Sequence, residues 1–193
     1  AHMARVQSLR VCEPHEEAPR ESTHAVVRGI EVVLPDGTVL EQSLDIMLWA
    51  LRRSDAHHWL AETPADQEAA LHLIGECDGA FKHNLDRYKY PNRYALPDGT
   101  HHRALGAHFL RDLNARLVAQ DYLMGKDFGL ADAAIAPFVR QFAHTDPAWF
   151  AGQAWPPLQQ WLHRFESSDV YSSVMEKYAA WTEDQTVLLF PAP

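Results

Sequence analysis

A chain of 193 residues, 47% hydrophobic and 22% charged, has material for one large soluble domain or two small ones around a real core. Its formal net charge of −9 excludes a nucleic-acid backbone or an anionic membrane as a general partner, and leaves open a small anion drawn to one local site. Only Cys12 and Cys77 are present, without CxxC spacing, and no stretch approaches the ~18 apolar residues of a membrane span, so neither a disulfide framework nor a spanning helix is expected.

Ala1-His2-Met3 has the pattern of a cloning scar. Residues 4–12, ARVQSLRVC, read as one short strand. Residues 13–25, EPHEEAPRESTHA, carry two prolines and four glutamates, have no face to bury and read as a linker. VVRGIEVVL (26–34) is a strand with Ile30, Val32 and Leu34 on one face. Pro35-Asp36-Gly37 makes a turn, with proline presetting φ and glycine supplying a positive one. Thr38–Glu41 then returns as the second arm of a hairpin.

A helix follows from about Leu44 to Arg53. From there every strong signal is helical. Pro64 opens a long helix whose apolar stripe runs Leu71, Ile74, Phe81, Leu85 and Tyr88, with Asp78 at a position where the stripe calls for an apolar residue. Leu105, Phe109, Leu113 and Leu117 mark the next helix. LADAAIAPFVRQF (130–142) is apolar nearly all round, which places it at the buried centre, with Pro137 expected to kink it or free a hydrogen bond. Leu158, Trp161, Leu162 and Phe165 form a further stripe. Val170, Val174 and Tyr178 mark a last short helix, and TVLLFP forms an apolar tail.

Two polar residues stand at the first helix start. Ser43 as N-cap would aim its hydroxyl and the free N–H groups of the first turn at one spot, where the helix dipole favours a carboxylate. Gln42 offers both a donor and an acceptor. From the local sequence, a plain helix cap aided by Asp45 and a ligand-holding pair are both open.

The order of hairpin, PDG turn, Gln-Ser, helix and helical domain resembles the glutathione transferase superfamily, in which a thioredoxin-like domain precedes an α-helical one. LPDGTVLEQSLDIM (34–47) resembles that family's last hairpin and the polar pair that grips the γ-glutamyl end of glutathione. ECDGAFKHNLDRYKYPNRY (76–94) resembles part of the first long helix in a group of bacterial members. YLMGKDFGLADAAIAPFVRQF (122–142) resembles the family's core helix with its buried aspartate, here Asp132. The likeness runs from Val32 to Pro191.

The resemblance implies a mainly α fold: a glutathione-transferase helical bundle over 62–193, preceded by a truncated thioredoxin-like remnant over 4–55, a hairpin plus one helix. It implies glutathione as co-substrate, held by Gln42 and Ser43. It also implies an acid from the long helix, Asp78, reaching the glutathione amine across a dimer or else bonded internally, and a structural role for Asp132. Cys12 sits where a reactive cysteine would, yet Glu13, Glu16 and Glu17 follow it, and like charge raises a thiol pKa, so an idle thiol is expected there. Cys77 is expected to be a small buried hydrophobe. The expected setting is a cytoplasmic homodimer that binds a small molecule and no metal. The expected activity is thiol addition to, or reduction of, electrophiles; the alternative is a non-catalytic ligand-binding or dimeric scaffold that has lost the glutathione site.

Three departures bear on that expectation. The 13 residues between Cys12 and Val26 are too few for a βαβ unit of ~30 residues, so the first domain must be cut down. The family's cis-proline position holds Ile30. Gly129 stands where the family has a Ser or Thr cap, at a cost of a few tenths of a kcal/mol. Removing the inner strands also bares an edge of strand 26–34, which residues 5–11 or a partner subunit should cover.

Overall fold

The computed structural model describes residues 9–10, 31–34 and 36–175, which fall into two compact units meeting at Ser54/Asp55 in the sequence. The first holds three short strands, β1 (Leu9–Arg10), β2 (Glu31–Val33) and β3 (Val39–Leu40), in the order β1-β2-β3 with both pairs antiparallel. Leu9 pairs Val32 on one side of β2, and Leu40 pairs Val32 on the other. Part of the N-terminal arm thus covers the β2 edge, which leaves fewer bare N–H and C=O groups there. The hairpin turn closes through Gly37 N–H to Leu34 O at 2.9 Å and Leu34 N–H to Thr38 O at 2.8 Å, with Gly37 at φ +86°. A side chain would be strained at that φ, which is why glycine ends the PDG turn. Val32 and Leu34 are buried, as their shared face requires. Residues 26–30, including the Ile30 position, lie outside the described residues.

Helix α1 (Ser43–Arg53) follows β3. Arg52 and Arg53 sit in its last turn, where the dipole favours cations, and the Arg53 guanidinium stacks 4.5 Å from the Trp49 ring centre.

The second unit begins with a loop in which the Asp55 carboxylate accepts the N–H groups of Trp59 and Leu60 at 2.7 and 2.9 Å. Helix α2 (Pro64–Glu76) starts on Thr63, whose hydroxyl accepts from Asp66 N–H, with Pro64 at the first helical position. It runs through a π turn at Cys77–Phe81 into α3 (Lys82–Lys89). That turn corrects the expected stripe. A π turn holds one residue more than an α turn, so the inward phase moves by one position. Cys77 takes the buried place, followed by Phe81, Leu85 and Tyr88, while Asp78 is exposed and Leu71 only half-buried.

A short 3₁₀ turn (Pro91–Tyr94) leads to α4 (Thr100–Arg116). At its N-cap, Gly99 passes so close to α3 that a β-carbon would lie 2.3 Å from the Tyr88 carbonyl oxygen. The buried face of α4 is Gly106, Ala107, Leu110 and Leu113; of the expected row Leu113 and Leu117 are buried, Phe109 is half-buried and Leu105 is exposed. Gly106 lets Phe142 approach so near that a β-carbon would sit 2.7 Å from its ring. Small residues set this face, and a pattern of large apolar residues does not mark them.

Helix α5 (Leu130–Thr145) is the centre, burying Ile135, Ala136, Val139, Phe142 and Ala143. It runs unbroken through Pro137, which lies on the exposed side where water can serve the carbonyl that lost its donor. Phe81 of the π turn and Tyr88 of α3 pack on Phe142 of α5, with ring centres 5.5 and 4.8 Å from its own. Helices α6 (Pro147–Ala151), α7 (Pro156–Glu166) and α8 (Asp169–Val174) complete the unit. Leu158, Trp161 and Leu162 of α7 face the core as expected, while Val170 and Val174 of α8 are exposed. Tyr178 and the TVLLFP tail lie outside the described residues. Among the described residues no helix is long and apolar enough to cross a membrane.

Candidate functional site

The start of α1 differs from expectation in one respect. The N-cap is Gln42, in extended conformation (φ −99°, ψ 134°), whose carbonyl accepts Ile46 N–H at 3.0 Å. Ser43 is the first helical residue, and neither side chain caps the helix. The reason is geometric: only the half-in N-cap residue points its side chain back at the second and third N–H groups, and at that position the longer glutamine replaces serine. The first-turn N–H groups of Ser43, Leu44 and Asp45 therefore find no acceptor among the described residues. Gln42, Ser43 and Asp45 are all exposed. The helix terminus has donors, the positive end of the dipole, a hydroxyl, an amide and a carboxylate at one open place.

The other sequence candidates stand apart from it in chemistry. Cys12 lies outside the described residues. Cys77 is 1% exposed, and burial, with Asp78 beside it, pushes its thiol up to about 12, the opposite of an activated nucleophile. Asp78 lies on the exposed side of the π turn. Its carboxyl is raised above the usual value by partial desolvation, against the pull of Lys82. No side chain among the described residues hydrogen-bonds it, so the buried partner that its stripe position called for is not needed.

Asp132 is a knot of hydrogen bonds. Fully buried at the start of α5, it accepts Leu123 N–H at 2.9 Å, Gly129 N–H at 3.1 Å and Trp161 Nε1–H at 2.7 Å. Burial raises its carboxyl and these three donors pull it down, with burial the larger effect. Gly129 also has a steric reason: a β-carbon there would come 3.3 Å from the Trp59 carbonyl, the same group that accepts Leu130 N–H at 2.9 Å. A capping serine or threonine would crowd that contact. Trp161 and Leu123 were not identifiable as partners of Asp132 from sequence, since a tryptophan in an apolar stripe shows burial but not its indole N–H bond.

Basic and aromatic side chains of residues 87–94 form stacked pairs. Arg87 lies 4.3 Å over Tyr94, and Arg93 and Lys89 lie 4.2 and 5.0 Å from the Tyr90 ring centre. Arg87 also donates to His83 Nδ1 at 3.0 Å, so that nitrogen is unprotonated. Asn84 gives its amide nitrogen to Ala80 O, so its oxygen faces His102 and takes the Nδ1–H. Among the described residues no group of three or more histidine, cysteine or acidic side chains has the arrangement of a metal site.

Comparison with known proteins identifies the architecture. Residues 84–164 match the family model of the glutathione S-transferase C-terminal domain. No curated protein matches the sequence. A glutathione S-transferase from Rhodospirillum rubrum F11 superimposes with a TM-score of 0.62 at 18% identity, covering 78% of this chain and 71% of that one. A glutathione transferase from Burkholderia graminis with two glutathione molecules per subunit gives 0.63 at 18% identity, over 74% of this chain and 64% of that one. A family member from Pseudomonas fluorescens Pf-5, also with two glutathiones bound, gives 0.64 at 16%, over 74% and 68%. Residues 84–164 are thus similar to a glutathione S-transferase C-terminal domain, and over about three quarters of its length the chain shares the fold of these solved transferases. It is mainly helical, with a small three-stranded antiparallel sheet in the N-terminal unit. The chain spans about two thirds of the length of these relatives.

Proposed function

We propose that the protein binds glutathione, or a related γ-glutamyl compound, at the N-terminus of α1. The observation that carries this reading is the first turn: three N–H groups with no acceptor among the described residues and the exposed Gln42-Ser43 pair form an open carboxylate-binding terminus on an 11-residue helix. The ligand's α-carboxylate takes the N–H groups and the Ser43 hydroxyl. Its α-ammonium takes the Asp45 carboxylate in the same turn, and Gln42 takes the neighbouring amide. Two of the solved relatives contain glutathione, which supports the choice of ligand. In ¹H–¹⁵N NMR, the amide signals of Ser43, Leu44 and Asp45 should move together on addition of glutathione.

The resemblance extends this to chemistry, conjugation or reduction of an electrophile by the bound thiol, with Asp78 as a further contact to the amine and Cys12 as the nucleophile candidate. It also extends to a cytoplasmic homodimer. A second reading, binding without turnover, is favoured by the chemistry of the described residues. The one cysteine among them, Cys77, is buried and unactivated, and the sheet consists of three short antiparallel strands. Turnover of a chloronitrobenzene with glutathione separates the two: a glutathione-dependent rate lost in Cys12→Ala or Ser43→Ala supports the enzyme, and saturable binding with no rate above background supports the binding protein.

A further inference from the structure

The geometry points to a second binding site, on the helical unit alone, for a small neutral aromatic molecule that carries one N–H or O–H donor. Where the end of α5 meets α6 and α7, a groove of about 270 Å³ opens to solvent. Its floor is apolar, with Phe150 and Leu162 only 6% and 4% exposed and Pro147 beside them. A flat apolar body fits such a floor, and burying it is the main attraction.

The hydrogen bonds already made along the groove decide which polar group that body must carry. Gln159 spends its amide nitrogen on the carbonyls of Phe150, Ala151 and Gln153, at 2.9, 3.3 and 3.2 Å. Its orientation is therefore fixed, and its Oε1 is left as an acceptor. Glu166 takes His144 Nε2 at 2.6 Å on Oε1, with Arg140 Nε 3.4 Å from the same oxygen, so Oε2 is left as a second acceptor. Nε2 of His144 is taken by the carboxylate, and its Nδ1 serves either role. The exposed rim residue His163 serves either role.

The two polar atoms whose roles are fixed, Gln159 Oε1 and Glu166 Oε2, are both acceptors, so the ligand supplies the donor. Charge narrows the class further. An anion meets the Glu166 carboxylate, and a full cation gains little because Arg140 already balances that carboxylate from behind. A neutral aromatic with one donor, such as an indole or a phenol, satisfies both conditions.

The test is a titration of indole into the full chain, followed by ¹H–¹⁵N NMR at the Gln159 side-chain amide and the Phe150 and Leu162 backbone signals. Saturable shifts at these positions are expected. 1-Methylindole keeps the shape but lacks the N–H, and should bind about 3- to 10-fold more weakly, the worth of one hydrogen bond. Ala151→Leu fills the groove from an exposed wall position and should weaken indole binding at least about tenfold. Signals far from the groove report that this variant is folded, and the comparison of the two indoles needs no variant. The proposal is overturned by no saturable shift up to about 10 mM indole, by equal affinity for the two indoles, or by unchanged binding in folded Ala151→Leu.

Discussion

Trp161 donates its indole N–H to Asp132 Oδ1 at 2.7 Å, tying the middle of α7 to the first turn of α5. The carboxylate has no cation beside it among the described residues and is held by three N–H donors alone. Removing it strands the Leu123 and Trp161 donors in the core and leaves the part-buried Gly129 N–H without its acceptor. Asp132→Ala should therefore cost about 3–5 kcal/mol, and Trp161→Phe, which strands only one lone pair, about 1–3 kcal/mol. Urea unfolding measures both. The double variant should cost less than the sum, because the two changes remove one shared bond. A fully additive result would show that the bond carries no coupling.

Gly99 should accept no side chain. Its missing β-carbon would lie 2.3 Å from Tyr88 O and 2.8 Å from Tyr88 Cα, both backbone atoms that cannot turn aside. Gly99→Ala should destabilise the helical unit by about 2–4 kcal/mol through forced separation of α3 and α4. Thermal melting of the variant checks this, and a melting point within error of the unchanged chain would contradict the packing described.

Cys77 should be chemically silent in the folded chain. With its thiol pushed up to about 12 from an ordinary 9, the thiolate fraction at a pH near 8 falls about a thousandfold. In a Cys12→Ser background, a disulfide reagent should label Cys77 only as fast as the protein opens, and fully once it is unfolded. The sign for stability follows from the same shift. The folded state holds its proton longer than the unfolded state, so this contribution is intact below 9 and declines as pH rises toward 12.

His102 should make acid mildly destabilising. Burial first, then His101, Arg87 and His83, hold its pKa below 6.5, while Asn84 fixes its neutral tautomer. The unfolded chain then binds the proton more readily, so this contribution is present above 6.5 and is lost as pH falls through the lowered value. His102→Gln should flatten the stability profile below pH 6.5, by a small amount because the ring is partly solvated. Denaturant midpoints across that range measure it; identical slopes for both chains would contradict it.

Much of the helical layout is legible in the sequence, because stripes of large apolar residues and proline starts follow directly from helix period and capping. Pro64 opens α2 and Leu158, Trp161 and Leu162 pack inward as the spacing requires. What escapes the pattern has identifiable causes. One extra residue in the π turn moved Cys77 inward and Asp78 outward. Gly106 and Ala107 form a contact face with almost no hydrophobic signal. The five-residue α6 is too short to show a period. At the candidate site the pair itself could be read, but the assignment of the cap to Ser43 could not be settled without backbone dihedrals, since glutamine and serine are neighbours and only one can be half-in. The partners of Asp132 lie up to 29 residues away, and no local rule joins them.

The central claim is that the uncapped α1 terminus binds glutathione, and titration calorimetry with glutathione tests it most directly. The account predicts saturable binding that weakens about 5- to 30-fold in Ser43→Ala, the loss of a hydrogen bond to a charged group, and further in a Gln42→Ala/Ser43→Ala double variant that remains folded. No heat of binding at millimolar glutathione, or binding that the double variant leaves unchanged, would contradict it.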